Sequence, residues 1–536
     1  MKTKGLLWFA CLLFVYAIPN TATGYADVVS CTLLKSSVVV PPGDATSLII
    51  DSTAMVPARV GFVEYCDVAG HLDTEIKFQL RLPTDWNGKF LMAGNGAFAG
   101  SFGTLIPGLN YKLTELPVSW QKGPGHYAVA GTDGGYSGAS SLMIKRPDRL
   151  ANWQYRAVHL VAMTAKLLIK AYYGTAPSRS YMNSCSGGGR QALIEATRYP
   201  EDFDGIIAAA PGSQNAGDFQ IWVSRALFPN GPAAGLIPTY KVRLLSKKVL
   251  EKCDALDGIP DGLVNDPVQC NFSPVADLPR CPNDLDREDC FTAAQVAALE
   301  KVHQGPSSNG KPLGPPYYFH GSEDTVRFQD AGQDIYQFSY NASGFPDIPR
   351  LVEAFGTGIP SFTYSLGTQR LRLVFNDPAF LLQNFSYDNP AHIEALNSWS
   401  VPAYAVSPDL SAFVRRGGKV ILWHGWADSV INPMNSLWFY QQGLEALGGL
   451  ERARESYRLF LVPGTQHCGG GNGPGYFDYP VTELDQWVEK GIAPESIIGR
   501  SSDSSLVRPT CPYPEVARLK EPGLDPNIPT SFVCAR

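Results

Sequence analysis

The sequence predicts an α/β protein, a parallel sheet with helices between its strands, interrupted by one large insertion. Three observations lead there. Short apolar strands alternate with helical stretches from about residue 75 to 215; the alternation stops for roughly 190 residues; and it resumes after about residue 400.

The first block reads as strands at Ile76–Leu82, Lys89–Ala93 and Tyr127–Ala130, then an amphipathic helix over about 155–173. A strand at Tyr181–Asn183 leads into a second helix ending near Pro200, and Gly205–Ala210 is a buried strand. The last block repeats the pattern with Lys419–Trp423, a helix around 434–447, and Tyr457–Val462. Between them, 213–400 holds four cysteines and many aromatics (Tyr317, Tyr318, Phe319, Tyr336, Phe338, Tyr340) with little alternation. A structureless loop of that length is improbable, so a folded lid is expected there. The division is core 27–212, lid 213–400 and core 401–536, behind a leader at 1–26.

Composition bounds the function. At 536 residues the chain is long enough for three or four domains of ~150 residues, or one enzyme core with an insertion. An apolar share of 44% and a mean hydropathy of −0.09 suit a packed core and exclude an integral membrane protein. Net charge is −6 with no basic block, and losing Lys2 and Lys4 with the leader takes it to −8. A surface built to neutralise nucleic-acid phosphates is thereby excluded.

Residues 1–26 have the form of a secretory signal: Lys2 and Lys4, an apolar stretch from Leu6 to Ile18, then small residues up to Ala26. About 13 apolar residues are too few to span a membrane. The expectation is a secreted or periplasmic protein. Removal of Cys11 leaves ten cysteines, an even number that argues for disulfides in an exported chain. Closeness suggests Cys31–Cys66, Cys253–Cys270, Cys281–Cys290 and Cys511–Cys534, leaving Cys185 and Cys468; spacing alone does not fix connectivity. Free thiols or zinc ligands are the alternative, and no CxxC or CxxH spacing supports zinc.

The segment Ser180-Tyr-Met-Asn-Ser-Cys-Ser186-Gly-Gly-Gly-Arg carries the chemistry. A strand, a turn of small residues and a helix, with a serine at the apex, is the layout of a nucleophile elbow. Ser184 stands where the usual G-x-S-x-G pattern has its first glycine. A serine needs a base, and the base an orienting acid, which in α/β-hydrolase order follow at the ends of later strands. Asp428 follows the strand ending at Trp423, and His467 follows the strand ending at Val462. His424, four residues before the acid, is read as a pocket residue. Oxyanion donors are expected from the amides of Gly187 and of Ala97, with Gly96 as alternate, in the loop Gly94–Gly100. A Cys185–Cys468 bond would tie the nucleophile and base loops together.

Cys185-Ser186, Asp428 and His467-Cys468 resemble the CS-D-HC signature of the tannase and feruloyl esterase family. Leu80–Phe90, Gly131–Gly135 and Cys511–Pro514 are similar to it as well, and the resemblance spans Cys31 to Cys534. It implies an α/β-hydrolase core with a lid between serine and acid, and the same five disulfides. It also implies a calcium site in the lid, with Asp254, Asp257 and Asp261 giving side chains and Ile259 and Leu263 giving carbonyls. Three carboxylates within eight residues suit a hard cation. No organic cofactor is expected.

The substrate implied is a small aromatic ester, with no nucleic-acid or membrane partner and no sequence signal of oligomeric state. Feruloyl esters come first, gallate esters second and terephthalate monoesters third. Ile431 stands three residues after the acid, where the family's terephthalate-ester hydrolase has phenylalanine, and is read as substrate-binding. A catalytically idle binding protein on the same fold is the opposing class, with a peptidase or lactonase a further reading. Asn271, Asn341 and Asn384 begin N-x-Ser sequons.

Overall fold

The computed structural model describes residues 30–36, 40–58, 63–98, 100–102, 126–212, 216–230, 237, 239–321, 323, 362–404, 407–477, 480–501 and 503–536. The expected leader, the sequon at Asn341 and the aromatics Tyr336, Phe338 and Tyr340 lie outside these residues.

Nine strands make one sheet: β1 (Leu48–Val56), β2 (Tyr65–Leu72), β3 (Ile76–Pro83), β4 (Trp86–Ala93), β5 (His126–Thr132), β6 (Arg179–Cys185), β7 (Gly205–Ala209), β8 (Lys419–Gly425) and β9 (Tyr457–Val462). Their spatial order is β1-β2-β3-β5-β4-β6-β7-β8-β9. From β5 to β9 every pairing is parallel, whereas β1, β2 and β3 join one edge in antiparallel register. The architecture is the expected α/β-hydrolase type, but the sheet is mixed. Parallel strands are covered on both faces, so β7 and β9 are buried at every residue and, Arg458 apart, carry no charged side chain. β1 exposes most of its positions, and polar residues interrupt its apolar ones, which is why the alternation in the sequence becomes visible only at β3.

Successive residues of the central strands feed two cores. Met92, Ala130, Met182, Ile206, Leu422 and Leu459 pack with α1 (Ala157–Tyr173) and α2 (Gly187–Arg198). Leu91, Val129, Tyr181, Ile207, Ile421 and Phe460 pack on the other face with Leu484 and Trp487. The period-two alternation of strand side chains produces this sorting. It leaves the strand C-termini, and the loops that follow them, along one edge.

No described residue between β7 and β8 joins the sheet. That stretch folds into α3 (Ala216–Leu227), α4 (Thr239–Cys253), α5 (Ala293–Gln304), α6 (Phe362–Val374) and α7 (Pro390–Tyr404) around a separate core including Phe219, Leu245, Phe272, Leu299 and Leu371. Thr292 begins α5 with a capping box to Gln295. After β8, Asn432 caps α8 (Pro433–Ala446), its side chain accepting from the Met434 amide. The four disulfides suggested by closeness are formed, and so is the bond between the remaining pair, Cys185 and Cys468. Among the described residues no helix is long and apolar enough to cross a membrane.

Candidate active site

β6 ends at Cys185 and α2 begins at Gly187, so one residue makes the whole turn. Ser186 does so at φ 63 and ψ −125, a conformation that costs a non-glycine residue on the order of 1–3 kcal/mol. The surroundings hold it there. The Ser186 amide donates to the Ala209 carbonyl at 2.9 Å, and the Gly212 amide donates to the Ser186 carbonyl at 3.0 Å. A Cβ at Gly188 would sit 1.8 Å from Ser184 Oγ. Ser184 is therefore accommodated in place of the usual glycine because residue 188 has no side chain.

The structure brings the three residues singled out in the sequence together. His467 Nε2 lies 2.8 Å from Ser186 Oγ, and His467 Nδ1 lies 2.7 Å from Asp428 Oδ2. Asp428 Oδ1 accepts from the amides of Val430 at 2.8 Å and Ile431 at 2.9 Å. Burial alone would raise the Asp428 carboxyl, but the adjacent His467 and the hydrogen bonds from His424 and His467 outweigh it and hold the group well below the usual carboxylate range. Aspartate is thus ionised wherever His467 needs an anion beside it.

Gly187 opens α2, so its N–H has no partner within the helix. Ala97 faces it: a Cβ at Gly187 would lie 2.6 Å from the Ala97 carbonyl and 3.1 Å from the Ala97 nitrogen. Ala97 adopts φ 44, a left-handed conformation that turns its peptide out of the course of β4. Gln191 of α2 anchors this loop, accepting from the Asn95 amide at 3.1 Å and donating to Asn95 Oδ1 at 2.8 Å. The two loops on either side of Ser186 are one hydrogen-bonded unit.

Comparison with known proteins follows the same line. The family model described as tannase and feruloyl esterase matches residues 59–535. The chain belongs to the tannase and feruloyl esterase family. It is 30% identical to the mono(2-hydroxyethyl) terephthalate hydrolase of Piscinibacter sakaiensis over 90% of this chain and 87% of that one. A probable feruloyl esterase of Arthroderma benhamiae is 29% identical, over 85% and 82% of the two chains. The crystal structure of feruloyl esterase B from Aspergillus oryzae superposes with a TM-score of 0.77 at 25% identity, covering 94% of this chain and 99% of that one. This chain is accordingly a carboxylic ester hydrolase.

In this esterase Cys185 and Cys468 are bonded, with Cα atoms 5.9 Å apart, one beside the serine and one beside the histidine. His424 is fully buried: its Nδ1 meets Ser436 Oγ at 2.7 Å, and its Nε2 meets Asp428 Oδ2 at 3.0 Å and the Ile431 carbonyl at 3.1 Å. It stands behind the acid, with neither ring nitrogen turned to a pocket. Ile431 lies beside the nucleophile, since a Cβ on Gly212 would be 3.7 Å from both Ile431 Cδ1 and the Ser186 carbonyl. It packs in an apolar cluster with Phe98, Tyr136, Trp153, Trp399 and Val430. Contacts the sequence did not suggest pin the acid loop to the insertion. Gln220 donates to the Val430 carbonyl at 3.2 Å, Thr363 to the Ser429 carbonyl at 3.3 Å, and Asn432 to the Pro316 carbonyl at 2.9 Å.

Around the lid aspartates, Asp254 Oδ1 accepts from the amides of Asp261 and Gly262, Asp257 Oδ1 from that of Ile259, and Asp261 Oδ1 from that of Leu263. Arg508 pairs with Asp261 Oδ2. Asp257 Oδ2 is buried without a partner, and burial together with Asp261 and Asp254 pushes this carboxyl up to about 6. An orphaned carboxylate oxygen among like charges fits a hard cation. Among the described residues, the three potential ligands whose atoms all lie within 4.8 Å of one another are elsewhere: His159, Glu195 and Asp202. That group could hold a metal, yet Asp202 already has partners in the fold. His159 Nδ1 lies 2.5 Å from Asp202 Oδ2, and Lys166 Nζ lies 4.0 Å from Asp202 Oδ1.

Proposed function

We propose that this esterase hydrolyses esters of aromatic acids, feruloyl-type esters first, through an acyl-enzyme on Ser186. The observation that carries the chemistry is the continuous chain Ser186 Oγ, His467 Nε2, His467 Nδ1, Asp428 Oδ2, with links of 2.8 and 2.7 Å. Ser186 Oγ attacks the ester carbonyl carbon as His467 Nε2 takes its proton. The tetrahedral oxyanion is met by the amides of Gly187 and Ala97. His467 then hands the proton to the departing alkoxide, the C–O bond breaks, and an acyl-serine and an alcohol result. A water molecule, deprotonated by His467 in turn, attacks that acyl group and releases the acid and a free serine. Asp428 keeps the imidazole in the productive tautomer and stabilises it when charged.

Support for an aromatic acyl group comes from two sides. Relatives at 29–30% identity are named for feruloyl and terephthalate esters. Ile431, beside Ser186, belongs to a buried apolar cluster with Phe98, Trp153 and Trp399, a surrounding that suits a planar ring. Isoleucine at 431 argues for a feruloyl over a terephthalate ester, with gallate between them.

Calcium is assigned to the lid loop, with Asp254, Asp257 and Asp261 holding it by side chain and Ile259 and Leu263 by carbonyl. When bound it neutralises those carboxylates and holds the loop; it takes no part in the chemistry. Residues 1–26 are assigned as a leader to export, and the five disulfides are in keeping with an oxidising compartment.

The test is a hydrolysis panel of methyl ferulate, methyl gallate and mono(2-hydroxyethyl) terephthalate, with Ser186→Ala as control. The variant should lose on the order of 10⁴-fold or more in kcat on every substrate while keeping its fold. Ferulate should be turned over with the highest kcat/KM. Undiminished turnover by Ser186→Ala would sink the mechanism, and a clear preference for another ester would overturn the acyl assignment.

A further inference from the structure

Asp428 takes four hydrogen bonds, and one of the donors has no place in a Ser-His-Asp mechanism. Its Oδ1 is satisfied by the Val430 and Ile431 amides, and its Oδ2 is shared between His467 Nδ1 at 2.7 Å and His424 Nε2 at 3.0 Å. Shared acceptance matters because whatever draws electron density from Oδ2 weakens that oxygen's hold on His467.

The protonation of His424 follows from its neighbours. Nε2 faces the Asp428 carboxylate and, at 3.1 Å, the Ile431 carbonyl. Both are acceptors only, so Nε2 carries a hydrogen. Nδ1 meets the Ser436 hydroxyl at 2.7 Å, which can donate to a bare nitrogen or accept from a protonated one. Ser436 lies in the first turn of α8, held by the Asn432 cap, so the ring is locked from below as Asp428 is held from above. The side chains of His424 and Asp428 have no exposure, so bulk solvent does not reach these bonds.

We infer that His424 is a positioning residue for this esterase: through Nε2–H it fixes the rotamer of Asp428 and moderates the carboxylate's pull on His467, extending the catalytic chain to Ser436. This rests on the Ser-His-Asp reading given above. With Oδ1 held by the two amides, loss of the His424 donor would leave Oδ2 facing His467 but free to shift its angle to Nδ1. The full carboxylate charge would also fall on His467, favouring its protonated form, which cannot act as a base.

Both effects are measurable. His424→Phe keeps the bulk of the ring and removes the donor. It should lower kcat by about ten- to a hundredfold, the usual effect of losing an outer-shell partner, with little change in KM. The acidic limb of the kcat/KM profile should move to higher pH, because His467 holds its proton more tightly. The titratable groups that face this network are Asp428, His467 and, from the insertion, His320, which feels the Asp428 charge and has Glu323 3.8 Å away. Burial keeps His320 on the neutral side, so it does not supply the limb. His424→Gln can present an amide N–H near the position of Nε2 and should recover a large part of kcat and return the limb toward its wild-type position.

A kcat for His424→Phe within twofold of wild type would overturn the inference. So would a loss accompanied by an unmoved acidic limb and no recovery in His424→Gln, the behaviour of a packing defect. If the Phe variant does not fold, nitrogen NMR of the wild-type enzyme labelled in histidine decides the point. Nε2 of His424 should be protonated throughout the active pH range, and a bare Nε2 would refute it. Failure of the Ser-His-Asp reading is separately visible, since Ser186→Ala would then remain active whatever His424 does.

Discussion

Opening the bond between Cys185 and Cys468 perturbs the fold and the site at once. The double variant Cys185→Ala/Cys468→Ala removes a cross-link between residues 283 apart in sequence. Loop-closure entropy for a ring of that size is worth about 5–6 kcal/mol at 25 °C, and two short bridges inside it, closing 17 and 9 residues, change this little. Both cysteines are almost fully buried, so small cavities add about 1 kcal/mol more. With an unfolding entropy of about 1 kcal/mol per degree for a chain of this length, Tm should fall by about 6–7 °C. β6 and β9 stay joined through β7 and β8, so the sheet should persist at 25 °C. The elbow and the base loop lose their tether, and the 2.8 Å contact between Ser186 and His467 should loosen. Calorimetry and steady-state kinetics on methyl ferulate would read the two effects. The expected result is a kcat/KM reduced at least tenfold with unchanged far-UV circular dichroism at 25 °C. A variant with Tm shifted by less than about 1 °C and kcat/KM within about twofold would refute both the entropy argument and the tethering role.

Three further expectations follow from particular contacts. Gly188→Ala puts a methyl group 1.8 Å from Ser184 Oγ and should cost about 1–3 kcal/mol by denaturant unfolding; adding Ser184→Gly should restore part of it, and additive losses would contradict the packing account. Glu195 is fully buried, and burial and the Asp202 charge raise its carboxyl well above the ordinary 4.5, so its contribution to stability is complete below about that pH and is lost as pH rises toward its folded value. Glu195→Gln should therefore gain in Tm relative to wild type as pH goes from 5 to 9, and a difference that shrinks over that range would reverse the sign of the argument. Chelation should lower Tm and calcium should restore it while magnesium does not, since the loop offers oxygen ligands without strict octahedral order; a Tm indifferent to chelator would remove calcium from the lid.

Much of the core was legible because its signals are local. Apolar runs mark β7 (Ile206–Ala209), β8 (Val420–Trp423) and β9 (Leu459–Val462), small residues mark the turn at Ser186, and Asp428 and His467 each follow a strand closely. β1 escaped notice because an edge strand with one solvated face leaves only a weak alternation, broken by Asp51 and Ser52, and β2 because its buried positions Cys66, Val68, Gly70 and Leu72 alternate without forming an apolar run. Asp254, Asp257 and Asp261 stood out through the family resemblance and their charge density, whereas the group formed by His159, Glu195 and Asp202 did not, because α1, α2 and the turn after α2 bring together residues 36 and 7 positions apart.

By itself the sequence determined the order of elements, the three residues proposed as nucleophile, acid and base, which the structure brings together, and a disulfide pairing that closeness could suggest. These depend on short-range chemistry, where neighbouring residues carry enough information to set a strand, a turn or a loop. Only the tertiary structure decided how the parts act on one another. It turned His424 from a pocket residue into a donor behind Asp428, let Ser184 stand opposite a glycine, and brought Gln220, Thr363 and Asn432 to hold the acid loop against the insertion. The physical reason is range: a hydrogen bond or a steric contact is set by positions within about 3–4 Å, and residues some 70 to 210 apart in the chain reach that distance only when the whole sheet and its insertion have folded.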